Sequence, residues 1–342
     1  MAKEITMVEL ARELNVSTVT VSKAMAGQKG VSDELRDRIL ELAKQRGYVK
    51  RKKEGSRENC NVGVIVAEHF LTESQSFYWN LYQKLSLRAA ERNCFTFLEV
   101  IGTEDEKACE LPKILQESKA EGLIIMGAFS KKYEARILAE AGVPLLFLDT
   151  SPNAEKCDAV VSNNLSGGCR MTDYLLELGH RKIGFVGTRL ATASIDDRYL
   201  GYLKALMEHG IEWNPEWAID DRLRRGNIDA GIMKLPLQNM PTAFFCNCDI
   251  TAAVLMEKLR KQGFRIPEDI SVVGFDNYLR GPYIGEQITT FEIDTTEMAK
   301  RALHSILHKI KDTDYSTGVF VLDGRFIERT SAIRIGEPIP FV

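Results

Sequence analysis

Apolar residues follow two different rhythms along this chain, and the change between them divides it. In the first fifty residues they fall at helical spacing in short blocks. Thr6 and Glu9 form a T-x-x-E capping box that opens a helix carrying Val8, Leu10, Ala11 and Leu14. Asn15 tolerates the left-handed conformation of a tight turn, and Ser17 is a good N-cap for a second short helix through Met25. Gly27 and Gly30 break the chain, and Ser32 caps a third helix. Leu35, Ile39, Leu42 and Ala43 form the buried stripe of that helix before Gly47 ends it.

From Asn61 the pattern becomes short apolar runs separated by longer amphipathic stretches. VGVIVA (62–67), FTFLEV (95–100), GLIIMG (122–127), PLLFLD (144–149) and AVVSN (159–163) read as buried strands with helices between them. A second set comes after them: KIGFVG (182–187), a strand near 217–219, TAFFCN (242–247), SVVGFD (271–276) and a final pair around 318–322 and 325–335. The fold class expected is α/β: a three-helix helix-turn-helix head and a body of two doubly wound parallel lobes. The boundaries expected are 1–48 for the head, 49–60 for a linker and 61–342 for the body. Within the body one lobe takes about 61–162 plus 291–322, the other about 163–290 plus 323–340.

Charge sharpens the division. The formal total of −3 is unevenly spread: through Arg57 there are 13 Lys and Arg against 8 Asp and Glu, whereas the remaining 285 residues hold 32 against 40. A basic head on an acidic body suits a polyanion-binding module joined to something that must not adhere to DNA. In a trihelical unit of this kind the second helix enters the major groove and its first residues reach base edges. Thr18, Val19, Ser22 and Lys23 are therefore the expected readers, with Lys23 donating to guanine and Val19 touching a thymine methyl. Ser17 stands at the start of that helix, and Thr6 and Ser32, at helix N-termini, are expected to hold phosphates. A helical hairpin that only dimerises is the alternative, and Val16, Val21 and Met25 already supply such a unit with a core.

The run TMVELARELNVSTVTVSKAMAGQKGVSDELRDRILELAKQRGY resembles the DNA-binding head of the lactose-repressor/galactose-repressor (LacI/GalR) family, including its V-S-x-x-T-V-S-[RK] stretch. SNNLSGG, LLELGHRKIGFVG, DRYLGYLKAL, CDITAAVLMEKLRKQG and IPEDISVVGFDN resemble the periplasmic-binding-protein-like core of the same family. The linker departs from it: Lys50 and Arg51 replace Pro-Asn, Glu54 replaces an Ala, and Arg57 replaces the Leu that wedges into the minor groove. Arg57 is instead expected to contact DNA as a cation entering a narrow groove or its backbone, and a plain tether fits the composition equally well.

Ligands of open parallel sheets sit beyond the carboxyl ends of the strands, so the polar residues closing each run are the candidates. Asp249 follows the FFCNC strand, Asp276 closes VVGFD, and Arg198 opens the helix RYLGYLKALMEHG. Two carboxylates and a guanidinium in one cleft suit bidentate hydrogen bonds to vicinal hydroxyls. The resemblance maps Arg198, Asp249 and Asp276 onto the family's effector positions and Phe77 and Tyr78 onto its ligand-packing pair, with Ser76 where a Pro is usual and Cys248 where an Asn is usual. Asp249 as a helix N-cap, Arg198 in a surface salt bridge to Asp196 or Asp197, and Phe77 and Tyr78 as ordinary core are the competing readings.

No nucleotide, nucleophile or zinc-protease signature is present, so catalysis is not expected. The seven cysteines are scattered without a C-x-x-C pair, which argues for reduced thiols in the cytoplasm. The start MAKEITMVEL has no signal-like apolar run and no later stretch is long enough for a membrane span. His180 reads as a helix-terminal cap; His304 and His308 lie four apart on one helix but want a third ligand, so neither metal nor cofactor is expected. The resulting expectation is a DNA-binding transcription regulator, a homodimer on operator DNA, controlled by a small polar effector. The expected effector is a carbohydrate; a nucleobase is the alternative, and a solute receptor without DNA function is a third class.

Overall fold

The structure is a computed structural model that describes residues 7–25, 31–46, 60–71, 77–152, 157–223, 226–279, 287–312, 315 and 318–335. The chain divides into two compact units, Met1–Arg57 and Glu58–Val342.

In the first unit, α1 (Met7–Glu13), α2 (Thr18–Met25) and α3 (Asp33–Gln45) enclose a core of Leu10, Ala11, Val21, Ala24, Val31, Ile39 and Ala43. Asn15 makes the turn between α1 and α2 at φ 54°, the conformation its short polar side chain tolerates. Thr6, Gly27, Gly30, Gly47 and the linker, Arg57 included, lie outside the described residues, as do the side chains of Val19 and Ser22.

The second unit holds two parallel sheets. The first, in the order β11-β5-β4-β3-β1-β2, contains β1 (Cys60–Ala67), β2 (Cys94–Ile101), β3 (Gly122–Met126), β4 (Leu145–Leu148), β5 (Asp158–Ser162) and β11 (Val319–Leu322). The central strands β1 from Val62 onward and β3 are buried because helices cover both faces, which is what their unbroken apolar runs require. The edge strand β2 instead exposes Phe95 and Phe97. Packed on this sheet are α4 (Phe77–Glu91), α5 (Thr103–Ala108), α6 (Lys113–Gln116), α7 (Lys131–Glu140) and α11 (Thr295–Lys311).

The second sheet, in the order β7-β6-β8-β9, contains β6 (Ile183–Val186), β7 (Ala218–Ile219), β8 (Ala243–Cys246) and β9 (Ser271–Val273). Its helices are α8 (Asn164–Glu177), α9 (Ala193–Glu208) and α10 (Asp249–Lys261). Gly168 and Gly201 let α8 and α9 meet backbone to backbone: a Cβ would stand 2.4 Å from the Arg198 carbonyl oxygen at Gly168 and 2.3 Å from that of Leu165 at Gly201.

The final strand pair is a correction. β11 joins the first sheet parallel to β5, while β12 (Arg325–Ile327) pairs antiparallel with β10 (Thr290–Glu292), a strand the apolar pattern does not announce. Beyond β12 the ladder is carried partly by side chains: Thr289 N–H donates to Ser331 Oγ (2.8 Å), Arg329 N–H to Thr289 Oγ1 (2.9 Å) and Ile333 N–H to Ser271 Oγ (3.1 Å). Polar side chains there replace main-chain partners, so the strand expected to reach residue 335 stops at Ile327.

The chain passes between the lobes three times, after β5, after β10 and after β11. Asn163 ties the first crossing to the third, its amide donating to Asp323 Oδ1 (2.7 Å) and its backbone N–H to the Leu322 carbonyl (2.8 Å).

Candidate functional site

In the head, the core side of α2 is set by Val21 and Ala24, which leaves Thr18 and Lys23 exposed. Ser17 is exposed and spends its hydroxyl on the helix start, accepting from Thr20 N–H (3.1 Å) and bonding Thr20 Oγ1 (2.8 Å). Ser32 Oγ accepts from Leu35 N–H at 3.4 Å and caps α3. No acidic residue occupies the first turn of α2, so its positive dipole end is not neutralised from within.

Both sheets of the body reverse their winding next to their first strand: β1 lies between β2 and β3, and β6 between β7 and β8. Such switch points leave a crevice at the carboxyl ends of the strands. A cleft of about 220 Å³ opens there. Its walls include His69, Phe70, Phe77, Tyr78 and Asp149 from the first lobe and Thr192, Ser194, Ile195, Arg198, Arg222, Asn247, Cys248 and Asp276 from the second, with Ile293 from a crossing. Each polar member follows a strand directly or sits on the next helix.

Arg198 lies in the second turn of α9, because the helix starts earlier than the sequence pattern suggests, at Ala193, with Thr192 Oγ1 accepting from Ile195 N–H (3.2 Å). Its side chain is fixed by neutral groups: Nε donates to Asn164 Oδ1 (2.9 Å), Nη1 to the Asn247 carbonyl (2.6 Å), and the guanidinium lies 4.0 Å over the Phe275 ring. The alternative surface salt bridge does not form; Asp196 instead accepts from Leu190 N–H at 2.7 Å.

Asp276 adopts φ 88° and turns back on its own loop, Oδ1 accepting from Tyr278 N–H (3.1 Å). Burial pushes its carboxyl up to about 7, against the pull of Arg198 and the Tyr278 N–H. Asp149, at φ 60°, accepts from the Tyr78 hydroxyl (2.8 Å). Burial raises its pKa too, with Arg198 and the Tyr78 hydrogen bond opposing, and its Oδ1 has no hydrogen-bond partner among the described residues. Phe77 packs edge-on against Tyr78, ring centres 5.3 Å apart. Asp149 was legible, as the last residue of the PLLFLD run, but sequence reasoning did not single it out.

A raised carboxyl has a defined consequence for stability. Asp276 binds its proton more tightly folded than unfolded, so its contribution is complete below the ordinary Asp range and is lost as pH rises through about 7. Without ligand, the stability of the wild type relative to Asp276→Asn is expected to fall between pH 4 and pH 7.5, about the interval separating the two pKa values. Chemical denaturation of both proteins across that interval checks it, and a level difference would refute it.

A second missed feature is a buried polar knot behind the cleft. Asp221 is fully buried and accepts from Thr188 N–H (3.0 Å), Arg222 Nε (3.0 Å) and Nη2 (2.7 Å), Asn247 Nδ2 (2.7 Å) and Thr251 Oγ1 (2.6 Å). Burial alone would raise its pKa, but the bonds and charge of Arg222, with Thr251 and Asn247, hold it at about 2. Both residues follow β7, so the strand-end rule applied to that short strand finds them.

Asp249, expected in the cleft, does not line it. The first turn of α10 carries its carboxylate into the second lobe, where Oδ1 accepts from Thr290 Oγ1 (2.7 Å) and Oδ2 has no partner among the described residues. Burial, then the charge of Asp276, raises its pKa well above the ordinary Asp value. Nor is it the N-cap: Cys248 is, its Sγ accepting from Thr251 N–H at 3.4 Å. His180 closes the end of α8 with its backbone N–H, which donates to the Leu175 carbonyl (3.1 Å), and its fully buried ring is also a cross-brace, bonding Thr242 Oγ1 (2.9 Å) through Nδ1 and the Ile333 carbonyl (3.1 Å) through Nε2. Burial lowers its pKa to about 4 and keeps it neutral. The rings of His304 and His308 meet at a tilt, centres 4.3 Å apart, and no third metal-ligating side chain joins such a pair among the described residues.

A helix-turn-helix head attached to a two-lobed ligand-binding body defines a ligand-responsive DNA-binding protein. Residues 6–50 match the bacterial regulatory proteins of the lacI family, and residues 172–332 match the periplasmic binding protein-like domain. The chain thus joins a LacI-family helix-turn-helix domain to a periplasmic-binding-protein-like domain. It is 26% identical to the HTH-type transcriptional repressor PurR of Aliivibrio salmonicida (strain LFI1238), covering 96% of this chain and 99% of the relative. To the ribose operon repressor of Haemophilus influenzae (strain ATCC 51907 / DSM 11121 / KW20 / Rd) it is 27% identical, covering 95% and 98%. A LacI family regulator from Enterococcus faecium solved with bound ribose superposes with a TM-score of 0.69 at 25% identity, covering 81% of this chain and all of that one. The lac repressor dimer bound to operator and an anti-inducer shares the fold, with a TM-score of 0.68 at 21% identity over 97% of this chain and 100% of that one.

Proposed function

We propose that the protein is a homodimeric repressor whose operator affinity is set by a sugar bound in the cleft. The observation that carries this reading is the convergence of Arg198, Asp276 and Asp149, with Phe77 and Tyr78, at the carboxyl ends of two parallel sheets. A guanidinium and two carboxyls supply donors and acceptors for adjacent hydroxyls, and the aromatic pair offers apolar surface to a sugar ring face. The ribose-bound relative supports the sugar. Relatives named PurR favour the second reading, a nucleobase stacked on the same aromatics. The head 1–48, the linker 49–60 and the two lobes of 61–342 then serve reading, tethering and sensing; Thr6, Ser17, Thr18, Val19, Ser22, Lys23, Ser32 and Arg57 are assigned to DNA. Dimerisation along the lobes brings two heads to two half-sites. The reading places the protein in the cytoplasm with no catalytic step, in keeping with repressor relatives.

The test is thermal unfolding of the full chain against sugars, sugar derivatives and nucleobases, where ligand at 100 times its Kd adds ~2.7 kcal/mol. A shift from one compound that also changes DNA affinity is expected; no shift from any of them refutes the sensor reading. For the head, Lys23→Ala is expected to relax preference at one base position at a cost of ~1–3 kcal/mol. Binding measured on a set of single-base operator variants decides it, since a uniform loss across all of them assigns Lys23 to a phosphate.

A further inference from the structure

Among the described residues two guanidiniums line the cleft, and they are provided for differently. Arg222 is paired with Asp221 through Nε (3.0 Å) and Nη2 (2.7 Å), its side chain 17% exposed and that of Asp221 0%. The five hydrogen bonds converging on Asp221 fix the arginine where β7 meets the cleft. Arg198 is 6% exposed, and among the described residues no carboxylate forms a salt bridge with it; Asn164 Oδ1 and the Asn247 carbonyl, both neutral, take its bonds. Asp276, Asp149 and the neighbouring Asp197 feel its charge without bonding it, and burial pushes all three carboxyls up.

Stability alone does not call for this arrangement, because buried ion pairs do no better than packed apolar residues of similar volume. A ligand without charge would leave the Arg198 guanidinium short of a counter-charge once it displaces water from the cleft. A planar or tetrahedral oxyanion removes that deficit and matches the guanidinium fork.

We propose that the effector carries an acidic group, a carboxylate or a phosphate on a sugar-sized body, which Arg198 and Arg222 receive together. This rests on the cleft being the effector site and narrows the ligand class within it. Asp276 and Asp149, on the same walls, face the hydroxyls of the ligand, and the burial that raises both of their pKa values weakens the repulsion they offer the anion.

Isothermal titration of the full chain with D-glucuronate, D-glucose 6-phosphate and D-glucose tests the proposal and separates the two anion sources. One acidic probe is expected to bind about tenfold or more tightly than glucose, the scale of one hydrogen bond to a charged group. That advantage is expected to vanish in Arg222→Gln and to survive in part in Arg222→Lys. Because Arg222→Gln strands the Asp221 charge, the double variant Asp221→Asn with Arg222→Gln is measured beside it. Glucose binding as tightly as the acids, or an acid preference intact in both Gln variants, overturns the proposal. Silence from all three probes overturns it as well, while the broader sensor reading falls only if the whole panel of neutral sugars and nucleobases is silent too.

Discussion

Asp221→Ala is expected to destabilise the body by about 3–5 kcal/mol, the cost of stranding a buried charge by removing its partner. Arg222 then keeps its place in a half-closed pocket without the carboxylate that holds Nε and Nη2. Asn247 and Thr251, which point their side chains at the same oxygen, lose their acceptor with it. Urea unfolding of the wild type and the variant measures the effect. Adding Arg222→Ala in the same chain is expected to recover a large part of the loss, since the second change removes the unpaired charge. A loss below about 1 kcal/mol, the size of an ordinary surface ion pair, would show that water reaches the knot.

Arg198→Ala is expected to abolish the response to effector while leaving DNA affinity without effector at the wild-type value. The side chain reaches into the cleft from a helix whose backbone is held against α8 through Gly168 and Gly201, so truncation removes donors without moving the scaffold. Loss of a hydrogen bond between charged groups costs ~1.5–3 kcal/mol, and more when the remaining partner is desolvated. Thermal shift with the compound identified for the wild type, together with DNA titrations in its presence and absence, reads both halves. An unchanged shift removes Arg198 from the site.

The buried parallel strands were legible because unbroken apolar runs such as VGVIVA and GLIIMG admit few other readings. β10 was not, since its Thr290 is buried through a hydrogen bond to Asp249 that no hydropathy pattern records. Arg198 and Asp276 stand out among the polar residues beyond the carboxyl ends of the strands, whereas Arg222 was missed although the strand near 217–219 was expected, because it stands three residues past the end of β7. Asp249 shows the limit of that rule: a residue one position beyond the N-cap of a helix points inward or outward according to how the helix is seated. Sequence places it near the cleft, and only the packing of α10 turns its carboxylate toward Thr290.

The triple passage of the chain between lobes bears on how such a sensor diversifies. Two rigid bodies joined by one strand can roll, slide and splay, but three strands side by side, two of them laced by Asn163 and Asp323, leave little beyond a single bending axis. Every ligand that draws the lobes together must then drive the same stroke. Under the proposed reading the walls of the cleft are thereby released from any duty to encode the output: a residue such as Phe77, which no buried ion pair ties down, can be exchanged to suit a new metabolite while the bend itself is inherited unchanged.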